Sequence, residues 1–218
     1  METNQMENQH LFAIKQELKK YSKLIVSVIA VVAVGICFGQ YWKYHTAIKI
    51  SQASDIYQEM LVASYKPDLN TANAKGELLI TDYAGTPYYQ AAALLLAKNA
   101  VDDSKLDKAE EYLRLIVAHK GSKNLMFDIA TVRLAQVLRE RGDVDGALAL
   151  LEVGADRRVR PFEVLYQDAL GDIYVSKGET AKAKVAYKNA LEALPEGAQA
   201  PLIQMKFVDL GIGENDAS

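Results

Sequence analysis

The stretch from Arg141 to Glu152 is this chain's nearest approach to a metal-binding motif. Asp143, Asp145, Gly146 and Glu152 stand where the calcium loop D-x-D-x-D-G-x5-E places its second and third ligands, its glycine and its last ligand. The first ligand position holds Arg141, however, and the residues ALALL after Gly146 have the apolar pattern of a packed helix. We therefore expect a helix here rather than a calcium site.

The other side chains capable of chemistry are scattered along the chain. His10, His45 and His119 lie far apart in sequence, and the single cysteine, Cys37, falls within an apolar stretch, so no internal disulfide is possible. The sequence contains no G-x-S-x-G, no P-loop and no G-x-G-x-x-G motif. These observations predict a binding protein with no cofactor, no metal site and no catalytic residues.

The distribution of charge argues against binding to nucleic acid. The formal net charge is -3, and residues 1–43 hold five of the 25 basic and three of the 28 acidic side chains. The remaining 20 basic and 25 acidic residues give a mildly acidic domain, whereas nucleic-acid binding requires a basic patch.

Residues 24–42 form an uncharged apolar stretch that predicts a single transmembrane helix. As a helix it is about 28 Å long, close to the thickness of a bilayer's hydrocarbon core. A buried core helix or a cleaved signal peptide is the alternative, but the stretch has no polar face and no small-x-small pattern closes it. The expected membrane anchor includes Leu24, Val31, Phe38, Tyr41 and Trp42.

Lysine residues flank this span unequally and predict its orientation. Lys15, Lys19, Lys20 and Lys23 precede the span, whereas only Lys43 and Lys49 follow it closely. Since basic residues stay in the cytoplasm, we expect residues 1–23 to be cytoplasmic and the remaining mass to lie outside. Within that segment, residues 11–22 have the spacing of an amphipathic helix, which favours contact with lipid or with a cytosolic partner.

Beyond Trp42 the apolar residues recur at helical spacing and no strand pattern is evident, so we predict an all-α chain. Residues 43–86 are expected to form membrane-proximal helices and a degenerate repeat. Residues 87–211 are expected to form a repeat domain, with a capping helix over residues 198–211, and residues 212–218 a disordered tail.

Internal repeats identify the architecture. Residues 169–195 contain Leu170-Gly171, Tyr174, Gly178, Ala183 and Tyr187 at the offsets of the tetratricopeptide pattern L-G-x-x-Y…A-x-x-x-F. Two looser copies precede it and place Ala109, Ala147 and Ala183 at equivalent positions. This predicts an α-solenoid of about three repeats, in which small residues allow each pair of helices to approach closely.

The concave face of such a solenoid is built from the first helix of each repeat and binds peptides or partner segments. The repeat offsets predict a partner-binding groove with both apolar and charged side chains. Its expected members are Leu94, Lys98, Val101, Ile129, Val132, Gln136, Arg139, Leu165, Asp168 and Asp172. Arg157, Arg158 and Arg160 form a separate basic cluster, which is either a docking site for an acidic partner or an exposed loop.

Taken in order, these features resemble the YfgM family, the ancillary subunit of the bacterial SecYEG translocon. The resemblance runs from about Phe12 to Gly211 and includes Tyr41-Trp42 at the end of the span, SQASDIY at residues 51–57 and GDIYVSKGETAKAKVAYKNAL at residues 171–191. It implies a single-pass protein of the bacterial inner membrane with a periplasmic tetratricopeptide-like domain. The implied partners are the SecYEG translocon, the periplasmic chaperone PpiD, nascent or unfolded secretory polypeptides and membrane lipid.

Three functions remain open at this point. The chain is a translocon-associated adaptor that helps pass clients to periplasmic chaperones, a scaffold for another envelope complex, or a stress regulator that acts through its cytoplasmic segment. The capping helix either leaves the groove open or folds over it.

Overall fold

A computed structural model describes residues 2–66, 68–118, 125–155 and 162–215, with side chains for residues 26–66, 68–118, 125–152 and 162–211. Several sequence predictions lie outside these residues: the basic cluster Arg157, Arg158 and Arg160, the residue His119, and the side chains of His10, of Leu24 and of the expected amphipathic helix at residues 11–22.

The described chain consists of nine helices and contains no strand, which confirms the all-α prediction. The helices are α1 (Glu2–Tyr65), α2 (Leu69–Asp82), α3 (Tyr88–Asp102), α4 (Leu106–Val117), α5 (Leu125–Glu140), α6 (Val144–Ala155), α7 (Glu163–Ser176), α8 (Thr180–Glu192) and α9 (Pro201–Asn215). They divide into two compact units, Met1–Gln52 and Ala53–Ser218.

The first unit is helical and carries the apolar stretch. Within the described residues, one helical stretch, Val26–Tyr65, is long and apolar enough to cross a membrane, and none of its most apolar part is buried. Val31 is 72% exposed, and Trp42 is 65% exposed and lies 6.3 Å from Phe38, measured between ring centroids. Such an exposed apolar surface suits a lipid environment, because in water it would favour aggregation.

In the second unit, helices that are consecutive in sequence pack on one another from α2 to α9, and among the first helices α3 contacts α5 and α5 contacts α7. This is the arrangement of a tetratricopeptide solenoid, with hairpins α3–α4, α5–α6 and α7–α8. The same turn joins the helices of each hairpin. Ser104, Gly142 and Gly178 all have a positive φ, and in each turn the following residue donates its backbone N–H to a carbonyl five residues back.

Close approach of the helices explains the glycine of the third repeat. Gly171 is buried, and a Cβ atom built on it would lie 2.3 Å from the ring of Tyr187. That ring is 2% exposed and is held by a hydrogen bond from its hydroxyl to Asp172 (2.7 Å), so it has little freedom to move away. The small residue and the aromatic side chain therefore fit each other across the α7–α8 pair.

Polar contacts link each repeat to the next. The hydroxyl of Tyr112 on α4 donates to Glu77 on α2, and the hydroxyl of Tyr166 on α7 donates to Asp128 on α5 (3.0 Å). Burial and then the bond to Glu77 raise the pKa of Tyr112, so its hydroxyl stays protonated and remains a donor at neutral pH. These contacts fix the stacking of neighbouring repeats more specifically than apolar packing alone.

Two helix boundaries differ from the prediction. The capping helix α9 continues past Gly211 to Asn215, because two glycines lower helix stability without removing a backbone hydrogen bond as proline does. The predicted short helix at residues 11–22 is part of α1, which runs without interruption to Tyr65. The predicted boundaries of the functional segments stay predictions.

A groove on the concave face and a polar cluster beside it

A groove with a cavity volume of about 600 Å³ lies in the second unit, between the last turns of α1 and the first helices α3 and α5. Five of the ten predicted binding residues line it: Leu94, Lys98, Val101, Ile129 and Gln136. Its volume falls within the range of pockets that bind specific ligands in proteins, about 300 to 1,000 Å³. The repeat offsets therefore located part of a real concavity.

Apolar side chains form the floor of this groove. Leu94 and Leu95 of α3, Ile129 of α5 and Leu61 of α1 are half-buried beneath it. Their remaining exposed surface faces the groove rather than the core, and covering it with an apolar partner is favourable by about 25 cal/mol per Å². Such a floor suits apolar side chains of another polypeptide.

Charged side chains border the floor on both sides. On α3, the Lys98 ammonium lies 2.6 Å from the Asp102 carboxylate, and both side chains are more than half exposed. On α5, Arg133 and Glu140 line the groove and are exposed. Exposed charges of this kind contribute little to folding and stay available to a partner.

The third repeat contributes a polar cluster. Lys206 of α9 extends to α7, where its ammonium lies 2.8 Å from Asp168 and 2.7 Å from Asp172. Asp172 also accepts the hydroxyl of Tyr187 and lies 3.5 Å from Arg139 of α5. Three predicted binding residues, Arg139, Asp168 and Asp172, are thus engaged by partners within the chain.

The surroundings of Lys206 in this cluster favour its charged form. Burial lowers the pKa of Lys206, but hydrogen bonds and attraction from Asp168 and Asp172 outweigh that effect and raise it overall. Burial and then the bond to Asp172 raise the pKa of Tyr187, so it remains a neutral donor at neutral pH. The capping helix is thereby tied to the face on which a partner was expected.

Two further predicted residues are placed differently. Leu165 is 44% exposed on α7, whereas Val132 is only 6% exposed and packs in the main core. Val132 departs from the expected groove position because its apolar side chain is buried with the main core cluster. Tyr57 and Met126 also line the groove, although the repeat offsets do not predict them.

The residues that resemble a calcium loop have structural roles. The Asp143 carboxylate accepts the backbone N–H of Gly146 (2.9 Å) at the start of α6, and Asp145 pairs with Lys177 of the next repeat. A Cβ atom at residue 146 would lie against the end of the Asp143 side chain, which would have to shift to make room for it. In the described part of the chain, no group of three His, Cys, Asp or Glu side chains is arranged to hold a metal ion.

Comparison with known proteins agrees with this architecture. A family profile described as a tetratricopeptide repeat-like domain matches residues 15–212. The chain is 31% identical to a protein of Aggregatibacter actinomycetemcomitans over 94% of its own length and 97% of the relative's. It is 28% identical to a protein of Escherichia coli K12 over 97% of this chain and all of the relative.

A third relative, from Haemophilus influenzae, is 29% identical over 86% of this chain and 89% of its own length. All three relatives are named ancillary SecYEG translocon subunit. The matches include both the apolar helix and the repeats, since they extend over nearly the whole chain. The chain therefore belongs to the YfgM family of ancillary SecYEG translocon subunits.

Proposed function

We propose that this chain is a membrane-anchored, non-enzymatic subunit that associates with the SecYEG translocon. The proposal is supported by the near full-length similarity to relatives that carry that name, which includes the apolar helix as well as the solenoid. In this proposal the span at residues 24–42 lies in the bacterial inner membrane, residues 1–23 are cytoplasmic and the repeat domain is periplasmic.

In this proposal, the repeat domain binds polypeptide segments in its groove. The observation that carries this is the concavity of about 600 Å³, which has an apolar floor and exposed charged borders. A surface of this kind accepts segments of nascent or unfolded secretory chains, whose apolar residues are not yet buried. The same face, or the outer faces of the helices, receives a chaperone of the PpiD type, to which clients are passed.

Site-specific photo-crosslinking in cells tests this proposal. One probe replaces Ile129 in the groove, a second replaces Val31 in the apolar stretch, and a third replaces Val185, which is 58% exposed on α8 outside the groove. We expect translocon subunits to crosslink at Val31, and secretory chains or the chaperone to crosslink at Ile129 but not at Val185.

Crosslinks from Ile129 and Val31 to an unrelated envelope complex alone would contradict translocon association and favour a scaffold. Equal capture of secretory chains at Ile129 and Val185 would contradict the groove as the binding site while leaving the translocon association in place.

A further inference from the structure

The two long walls of the groove run in the same direction. Helices α3 and α4 pack together, as do α4 and α5, and short connections between packed neighbours make each pair antiparallel. Helices α3 and α5 are therefore parallel, and they contact one another. Residues near the C-terminal ends of α3 and α5 therefore lie at the same end of the groove.

The charged residues of α3 and those of α5 are arranged in the same order along the groove. Asp102 is the last residue of α3 and Glu140 the last residue of α5, so both carboxylates lie at one end of the groove. Lys98 lies one turn before Asp102, and Arg133 lies two turns before Glu140, so both cations are displaced towards the other end. The groove is consequently anionic at one end and cationic further in.

The helix ends strengthen this polarity. The C-terminal ends of α3 and α5 lie beside Asp102 and Glu140, and a helix C-terminus carries partial negative charge. The contact between Lys98 and Asp102 does not cancel the polarity, because an ion pair between exposed side chains is weak and exchanges readily with a partner's charges. Among the described residues, Arg133 has no ion-pair partner.

We propose that the groove binds amphipathic polypeptide segments in one direction, with acidic residues placed over Lys98 and Arg133 and basic residues over Asp102 and Glu140. This proposal rests on the proposed function of the groove and adds a charge requirement to it. The apolar floor supplies affinity, and the ordered charges determine which end of the segment lies where. Segments with the same composition but mixed charges bind less well.

Two synthetic helical peptides of about four turns serve as probes. Both carry the same leucine stripe and the same composition. In the first, acidic residues occupy one end and basic residues the other; in the second, each end carries both. A benzophenone group at the acidic end of the first peptide reports its direction. With the full-length chain in detergent, we expect this end to crosslink near Ala91 and Ile129 rather than near Val101, and the second peptide to bind about two- to fivefold more weakly.

A charge-swapped variant then reverses the order without changing the net charge. It combines Lys98→Glu, Asp102→Lys, Arg133→Glu and Glu140→Arg, all at exposed positions. We expect the acidic end of the first peptide to crosslink near Val101 in this variant. The control is Lys108→Glu with Glu111→Lys, an exposed pair on α4 that does not line the groove, and it should leave the direction unchanged.

The outcomes separate this inference from the proposal on which it rests. If both peptides bind the native chain equally and the acidic end crosslinks to both ends of the groove, binding stands and the charge order is wrong. The same holds if the swapped variant keeps native helicity and the native direction. If neither peptide binds the native chain, groove binding itself is overturned, and the directional proposal with it.

Discussion

At the turn between α3 and α4, Ser104 adopts a φ of +58°, a left-handed conformation that costs free energy for any residue with a Cβ atom. The equivalent turns use Gly142 and Gly178, with φ values of +87° and +73°. The turn of the first repeat is therefore strained at Ser104, whereas glycine adopts this conformation without strain. We predict that Ser104→Gly raises the free energy of unfolding by about 0.5–1 kcal/mol, measured by denaturant unfolding of the full-length chain in detergent.

The reciprocal substitution Gly142→Ser provides the matched control, since Gly142 also has a positive φ and a Cβ there would meet nothing within 4 Å. It should lower the free energy of unfolding by a similar amount. Destabilisation by both substitutions would show that the side chain of Ser104 has a role that outweighs its backbone strain.

Lys206 is the residue on which the polar cluster depends, because its ammonium lies between Asp168 and Asp172. We predict that Lys206→Met lowers the free energy of unfolding by about 1–2 kcal/mol, between the values for exposed and fully buried pairs. Thermal unfolding followed by circular dichroism measures the effect. Lys188→Met, on an exposed pair with Glu192, is the control and should change stability by less than about 0.5 kcal/mol.

The contribution of Lys206 also has a defined pH dependence. Since folding raises its pKa above the ordinary value of 10.5, its stabilising effect is fully present below about pH 10 and is lost as the pH rises through the higher folded value. The difference in midpoint between the native chain and Lys206→Met should therefore stay constant from pH 6 to pH 9 and shrink above the ordinary pKa. A difference that disappeared in mild acid would point to another group.

At the scale of the helices, the groove is formed by α3, α5 and the last turns of α1, and Ala91 of α3 lines it. We predict that Ala91→Trp fills part of the cavity and weakens binding of the first peptide about tenfold, or about 1.4 kcal/mol, with little change in unfolding. Val185→Trp adds the same ring to an exposed position of α8 and should leave binding unchanged. Fluorescence anisotropy of the labelled peptide measures both.

The sequence predicts those features of the helices that depend on local interactions, but not those that depend on contacts between residues far apart in the chain. The hairpins α5–α6 and α7–α8 follow from local signals, since Gly142 and Gly178 fix the turns and the repeat offsets fix the pairing. Lys206 meets Asp168 across 38 residues, and no local pattern encodes that contact. The repeat offsets place Val132 in the groove wrongly, because they give the angle of a side chain around its helix only approximately and this side chain is buried in the core.

At the scale of the whole molecule, the apolar helix suits a membrane, whereas the solenoid suits water. We predict that the chain stays with the membrane fraction after alkaline extraction, because the surface around Val31 and Trp42 is apolar and uncovered. Deletion of residues 24–42 should release the repeat domain into the soluble fraction. Release of the undeleted chain by alkali would contradict membrane anchoring.

Protease digestion of cells that express the chain tests the orientation of the span. If residues 1–23 are cytoplasmic, protease added after the outer membrane is opened should digest the repeat domain and spare an epitope placed before the span. Protection of the repeat domain under those conditions would reverse the assigned topology. The sequence predicts this orientation from the excess of lysines before the span over those that follow it.

The apolar core of the solenoid is divided, and this has a consequence for motion. Ala183, Tyr187, Ala190 and Ile203 form a small cluster separate from the main one, and Ile203 is the single buried side chain among those described in α9. Local opening is easiest where few apolar contacts are lost. Backbone amides of α9 should therefore exchange with deuterated solvent far sooner than those of α3 or α5. Lys206→Met should accelerate that exchange in α9 alone, so the chain's end would detach while the rest of the solenoid stays folded.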